Sequence, residues 1–135
     1  MPHELARCDA VDTLIGRLRG NGIPDDNIYL DALVETLATD TQSARCTLDT
    51  IRYTREHYPQ VHCICGVSNI SFGLPKRSLI NSAFLTMAMY CGLDSAILDP
   101  TSISVQDTLA AAAAVCGQDE YCMEYITYIR ETKDN

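Results

Sequence analysis

The side chains that could do chemistry cluster where apolar runs end. Asp31 is an acid inside the run Ile28-Tyr29-Leu30-Asp31-Ala32-Leu33-Val34. Burying a lone carboxylate costs several kcal/mol unless donors meet it, so Asp31 needs a partner from the protein or from a ligand. A second apolar run leads into Gly66-Val67-Ser68-Asn69-Ile70-Ser71-Phe72-Gly73-Leu74-Pro75-Lys76-Arg77. Gly66 and Gly73 let backbone approach a bound molecule closely. Ser68, Asn69 and Ser71 offer neutral donors and acceptors, and Arg77 opens the next helix. A third run ends in Asp99-Pro100. Polar groups at three such ends form a binding-site pattern. Each also has a plainer reading. Asp31 could pair with a neighbouring strand's donor, Ser68 and Asn69 could make local turns, Asp99 could cap a turn, and Arg77 could be solvated.

The cysteines give a weaker signal. There are 7, at Cys8, Cys46, Cys63, Cys65, Cys91, Cys116 and Cys122, with no C-x-x-C pair and no two histidines at ligand spacing. Cys63 and Cys65 would share one face of a strand. They are either a soft-metal pair or reduced, buried thiols acting as small hydrophobes. The sequence demands no metal.

Periodicity supplies the elements that must hold these groups. Residues 3–20 place Leu5, Cys8, Val11, Leu14, Ile15 and Leu18 on one helical stripe, stopped by Gly20, Gly22 and Pro24. Residues 28–34 read as a strand, 42–57 as a helix, 61–67 as a strand and 78–91 as a helix ending at Gly92, which fits a left-handed cap. Residues 95–98 read as a third strand. Ser104 and Asp107 suggest a capping box for an alanine-rich helix over 104–116, and 119–131 as a last helix carries Tyr121, Tyr125 and Tyr128.

The predicted order is α-β-α-β-α-β-α-α, a parallel α/β arrangement with strands apolar on both faces and helices around them. Asp31 and Asn69 are 38 residues apart, and Asn69 and Asp99 are 30, spacings suited to βα units. The whole span 1–135 reads as one domain. Three strands do not close a barrel, which takes ~250 residues, and they leave two bare sheet edges. In barrels and open parallel sheets alike, ligands sit beyond the C-terminal strand ends, where Asp31, Ser68, Asn69 and Asp99 fall.

With 47% hydrophobic and 21% charged residues, the chain of 135 can bury a core. Its net charge is −8 and its pI about 4.6. An acidic chain with no clustered basic stripe repels phosphate backbones, which argues against nucleic acid. No apolar run approaches the ~20 residues of a bilayer span, and the N-terminal residues lack a secretion signal's apolar core. The expectation is a soluble, cytoplasmic protein.

The block Gly66-Val67-Ser68-Asn69-Ile70-Ser71-Phe72-Gly73-Leu74-Pro75 resembles G-L-S-N-[IV]-S-F-G-L-P of the pterin-binding methyltransferases. These move the methyl group of methyltetrahydrofolate to a corrinoid protein, and the chain is likewise similar to the folate domain of cobalamin-dependent methionine synthase. The match continues through Asn81-x-x-Phe84-Leu85, Gly92-Leu93-Asp94-x-Ala96-Ile97-Leu98-Asp99-Pro100 and Ile28-Tyr29-Leu30-Asp31. Two departures stand out. The chain resembles only the last three βα units of an eight-stranded (β/α)8 TIM barrel, and Ala32 and Glu35-Thr36 replace parts of the family's D-P-L-V-L-P.

The resemblance implies that Asp31 hydrogen-bonds the polar edge of a pterin, Gly66 and Ser68 line the ring, Ile97 packs on it, and Arg77 lies nearer the folate tail. It implies that Asn69 is catalytic, reaching N5, where charge develops as the methyl departs. Methyltetrahydrofolate would be substrate. The corrinoid would arrive on a partner protein, since the chain has no D-x-H-x-x-G motif of its own. A different reading is a non-catalytic half-barrel that binds pterin weakly or serves as an assembly partner, as a homodimer or with a complementary half-barrel.

Overall fold

A computed structural model describes residues 2–133. Among them are five helices and three strands: α1 (Pro2–Gly20), β1 (Tyr29–Asp31), α2 (Ser43–His57), β2 (His62–Gly66), α3 (Arg77–Cys91), β3 (Ser95–Ile97), α4 (Ile103–Val115) and α5 (Met123–Lys133). The strands form one parallel sheet in the order β1-β2-β3. The α/β alternation predicted from periodicity is the one observed.

Register decides which face each side chain occupies. Asp31 pairs with Ile64 and Ile64 with Ser95, while Gly66 pairs with Ile97. Paired residues of a parallel sheet point the same way and side chains alternate along each strand. Tyr29, Asp31, Ile64, Gly66, Ser95 and Ile97 therefore share one face, and Leu30, Cys63, Cys65 and Ala96 the other. The second face is covered. Cys63 and Cys65 are fully buried in a core with Leu48 and Ile51 of α2, and Phe84, Leu85 and Ala88 of α3. A smaller core joins Val11 and Ile15 of α1 to Ile28, Leu30 and Val61.

The first face is open, which corrects the expectation of strands buried on both sides. Tyr29 is 58% exposed and Ile97 65%. All helical packing falls on one layer, because α1, α2, α3 and α4 contact one another in succession. The structure is thus consistent with part of a barrel wall.

Other boundaries moved for local reasons. β1 keeps only Tyr29–Asp31 of the apolar run, since Leu33 adopts φ 45° and turns the chain. Ser102 rather than Ser104 caps α4, its side chain accepting from the Val105 amide at 3.3 Å, and Asp107 instead accepts the Tyr128 hydroxyl at 2.6 Å. Leu5 and Leu14, expected on the buried stripe of α1, are exposed, and burial there is carried by Val11 and Ile15.

Gly92 ends α3 at φ 117°, as expected of a left-handed cap. Its carbonyl accepts from Arg55 Nε and Nη2, tying the end of α2 to the turn before β3. Nearby, Asp94 accepts from the Cys63 amide at 3.0 Å and lies 2.7 Å from His62 Nδ1. These bonds set the start of β2 against the start of β3 and so fix the register that aligns the opposite, C-terminal ends.

Candidate functional site

Five of the six residues singled out from sequence stand at strand ends or the turn that follows, and the sixth opens α3. Asp31 closes β1, Gly66 closes β2, Ile97 closes β3, Ser68 and Asn69 lie in the turn after β2, and Arg77 begins α3. All belong to the C-terminal rim of one parallel sheet, where the backbone amides and carbonyls left unpaired at strand ends face a ligand.

Asp31 is exposed on the open face rather than buried mid-strand. Its Oδ1 accepts from the Leu33 amide at 2.9 Å, an Asx turn that sets the carboxylate's plane. Among the described residues Oδ2 has no hydrogen-bond partner, so one oxygen orients the group and the other is left to accept. Gly66 and Ile97 sit side by side in register. A Cβ added at Gly66 would meet no atom within 4 Å, so the absent side chain leaves open room beside the exposed face of Ile97. A flat ring could lie there.

The segment after β2 is not the irregular loop its composition suggests. Residues Val67–Ser71 form a 3₁₀ helix. Val67, Ile70 and Ser71 are buried, which turns Ser68 and Asn69 outward to the rim. Asn69 donates from Nδ2 to the Val34 carbonyl at the exit of β1. That bond uses one amide hydrogen and fixes the amide plane; the second hydrogen and Oδ1 have no protein partner among the described residues. Leu37 N also donates to the Ile70 carbonyl at 3.0 Å, and Thr36 Oγ1 to the Phe72 carbonyl at 2.7 Å. The two loops that flank the rim are therefore stitched together at three points. Thr36, a departure from the resembled pattern, is one of the stitches.

A second set of bonds holds the turn from the other side. Arg77 donates from Nη2 to the Ser68 carbonyl at 2.7 Å and from Nε to Ser71 Oγ at 3.0 Å. Ser71 is fully buried and donates to Asn81 Oδ1 at 2.6 Å. The guanidinium also lies 5.8 Å from the Phe72 ring centroid. Arg77, though exposed, is therefore a clamp on the turn. From sequence, Ser71 is only a neutral donor or acceptor for a ligand, and Asn81 has no role. The signal available was that both lie inside the matched motif runs.

Asp99 plays a local part. Its Oδ1 accepts from the hydroxyl of Thr101 at 2.7 Å and its amide at 2.9 Å. These bonds, the hydroxyl foremost, hold its carboxyl below the ordinary carboxylate range. The turn reading of Asp99 is the one observed. Cys63 and Cys65 face the covered core, and no group of three or more His, Cys, Asp or Glu among the described residues could hold a metal ion. No helix among the described residues is long and apolar enough to cross a membrane.

Chemically, the rim offers an oriented carboxylate acceptor, a fixed amide donor, a small-residue floor at Gly66 and an apolar platform at Ile97. That set suits a flat, polar heterocycle with donors on one edge. Comparison with known proteins points the same way. The profile of the family described as "Pterin binding enzyme" matches residues 10–99. A methylcorrinoid:tetrahydrofolate methyltransferase of Eubacterium limosum is 36% identical over 120 residues, covering 89% of this chain and 44% of that protein. The methionine synthases of Mycobacterium tuberculosis and Mycobacterium leprae are each 36% identical over 104 residues, 72% of this chain and 9% of theirs. The chain thus spans less than half the length of the relatives it matches.

Proposed function

The chain belongs to the pterin-binding enzyme family, and from that premise we propose that it binds the pterin of a tetrahydrofolate at the rim of β1–β3 and takes part in methyl transfer between pterin N5 and a corrinoid. The observation that carries this reading is Asn69, whose side-chain amide is held by the Val34 carbonyl beside Asp31, Gly66 and Ile97. Asp31 would accept from the ring N–H and amino donors of the pterin, Gly66 and Ser68 would line the ring, Ile97 would pack on it, and Arg77 would hold the turn beneath it. Cobalt enters as the methyl-exchanging atom of a corrinoid on a partner protein and is a substrate, not a resident metal of this chain.

The chemistry explains the need for an amide. When the methyl leaves, the electron pair of the N5–carbon bond stays on nitrogen, and N5 leaves poorly unless a proton or hydrogen bond meets that charge. A pre-oriented N–H from Asn69 gains strength as the charge develops, so it stabilises the transition state more than the ground state. The same transition state serves both directions. The name of the Eubacterium limosum relative describes transfer from methylcorrinoid to tetrahydrofolate, and the geometry suits either.

The finer fold reading follows from the open sheet. The three βα units fit the last part of an eight-stranded barrel, with further strands completing the pocket wall against the exposed face of Tyr29 and Ile97. The same exposed face favours a second reading, in which the chain is a non-catalytic half-barrel that associates with a complementary half or another copy. Equilibrium binding of methyltetrahydrofolate to the purified chain, with Asp31→Ala and Asn69→Ala alongside, separates the two. Saturable binding weakened by Asp31→Ala supports the pterin site, and methyl transfer to a corrinoid acceptor then tests turnover. No binding up to millimolar ligand leaves the assembly reading.

A further inference from the structure

We infer that Arg7 of α1 is a positioning residue for Asp31, gripping the turn after β1 so that the carboxylate keeps one direction at the rim. The inference rests on the pterin reading, because it deepens the part given there to Asp31. Arg7 lies four and eight residues before Val11 and Ile15, the buried pair of α1, so helical spacing puts it on the same inward stripe. An apolar residue would be expected at such a place. Arg7 stands there instead, with a side chain only 20% exposed whose head reaches the exit of β1.

Arg7 Nη1 donates to the carbonyls of Leu33 at 2.9 Å and Ala32 at 3.1 Å. Thr47 of α2, fully buried, donates its hydroxyl to the same Leu33 carbonyl at 3.0 Å, and Arg7 Nη1 lies 3.4 Å from that hydroxyl oxygen. Leu33 needs this grip. It stands at φ 45°, where its Cβ crowds the following carbonyl, and its side chain is 55% exposed, so packing does little to hold it there. Its amide is the donor that orients Asp31 through Oδ1. A turn that relaxed out of the left-handed region would swing that N–H away and free the carboxylate to rotate. The Ala32 amide donates to the Ile64 carbonyl at 3.1 Å, a bond that the proline of the resembled pattern could not make. Glu35, another departure from that pattern, places Oε2 3.9 Å from Arg7 Nη2. A guanidinium suits the task, being always charged and able to meet several acceptors from one planar fork. The next carbonyl along, that of Val34, is held separately by Asn69. Loss of Arg7 should therefore fall on Asp31 and on binding.

The test uses the whole chain, labelled with ¹⁵N, and methyltetrahydrofolate as probe. Arg7→Met keeps the apolar stem and removes the donors. It should raise the dissociation constant about tenfold, within the ~10²-fold that a 1 Å misplacement can cost. It should also speed exchange of the Leu33 amide while the amides of α2 keep their protection. Arg7→Lys, with one donor head, should recover part of both effects. In Asp31→Ala protein, Arg7→Met should change the dissociation constant less than about twofold, because residues that act through one group do not add. An unchanged dissociation constant in Arg7→Met, or an equal rise with and without the Asp31 carboxylate, overturns the inference and leaves Arg7 a packing residue of α1. If the parent protein binds no methyltetrahydrofolate up to millimolar ligand, the pterin reading fails by itself, and the Leu33 amide decides the clamp. Faster exchange there in Arg7→Met keeps Arg7 as the group that orients Asp31, and unchanged exchange overturns it.

Discussion

The side-chain amide of Asn69 donates to the backbone carbonyl of Val34, thirty-five residues earlier in the chain. This bond joins the exit of β1 to the turn after β2 and leaves the second amide hydrogen with a fixed direction. Removing the amide should therefore act on rate before affinity. Asn69→Ala is expected to lower methyl transfer by ~10²–10³ while changing the dissociation constant for methyltetrahydrofolate only a fewfold. Single-turnover kinetics beside equilibrium binding reads both. Equal losses in the two would make Asn69 a binding contact.

Arg77 and Asn81 grip the same turn through Ser71 and the Ser68 carbonyl. Asn81→Ala removes the closer of the two acceptors of the fully buried Ser71 hydroxyl and leaves it the Ser68 carbonyl at 3.1 Å, at a cost of about 0.5–1.5 kcal/mol. Arg77→Lys keeps the charge but cannot reproduce the planar fork that reaches Ser71 Oγ and the Ser68 carbonyl together. Both variants should speed amide hydrogen exchange across 67–71 while leaving α2 and β1 protected. Unchanged exchange in that turn would show that Val67 and Ile70 hold it by packing alone.

Gly92 stands at φ 117°, and a Cβ there would lie 2.9 Å from Cγ of Arg55. Gly92→Ala combines a strained backbone region with a contact that displaces Arg55 from the Gly92 carbonyl. Strain of this type costs about 1–3 kcal/mol, so a clear fall in the urea midpoint is expected. In an Arg55→Ala background the Cγ contact is gone while the Cβ contact at 3.0 Å remains, so Gly92→Ala should cost less there than in the parent without becoming neutral. A Gly92→Ala midpoint equal to the parent's would mean that the turn before β3 can adopt another form.

Element order was legible because apolar spacing changes period where strands give way to helices, and the rim was legible because polar groups follow each strand. What escaped had physical causes. Asp31 looked buried because its neighbours in sequence are apolar, but alternation puts Leu30 and Asp31 on opposite faces, and only register with Ile64 reveals which face is covered. The turn 67–71 looked like a loop because its Gly, Ser and Asn content hides the buried pair Val67 and Ile70. Ser71 and Asn81 are ten residues apart, and no local rule joins a turn hydroxyl to a helix amide. The helix-start signal at Ser104 lost to Ser102 because the chain bends at Asp99-Pro100, two residues earlier than the alanine-rich pattern suggests.

Cys63 and Cys65 make the covered face of β2 testable by pH. Burial pushes the Cys63 thiol up to about 11 and the Cys65 thiol to about 12. An unfolded chain ionises its cysteines near their ordinary value, about 8.5 to 9. The folded state thus keeps protons that the unfolded state gives up, so the stability tied to neutral thiols is complete below about pH 9 and is lost as pH rises from there through 11 and 12. Tyr53, raised to about 12 mainly by its hydrogen bond to Asp12, adds loss at the upper end of the same window. Urea midpoints measured across pH 8 to 11 should fall, and Cys65→Ala, though less stable at pH 8, should show a shallower decline. Thiol labelling at pH 8 gives an independent reading. Cys122 is exposed and should react at once, whereas Cys63 and Cys65 should react only as fast as the protein unfolds. Labelling of Cys63 or Cys65 at the rate of Cys122 would mean that α2 and α3 open from the sheet in the native state, and a rim positioned by that sheet could not hold Asn69 to a single direction.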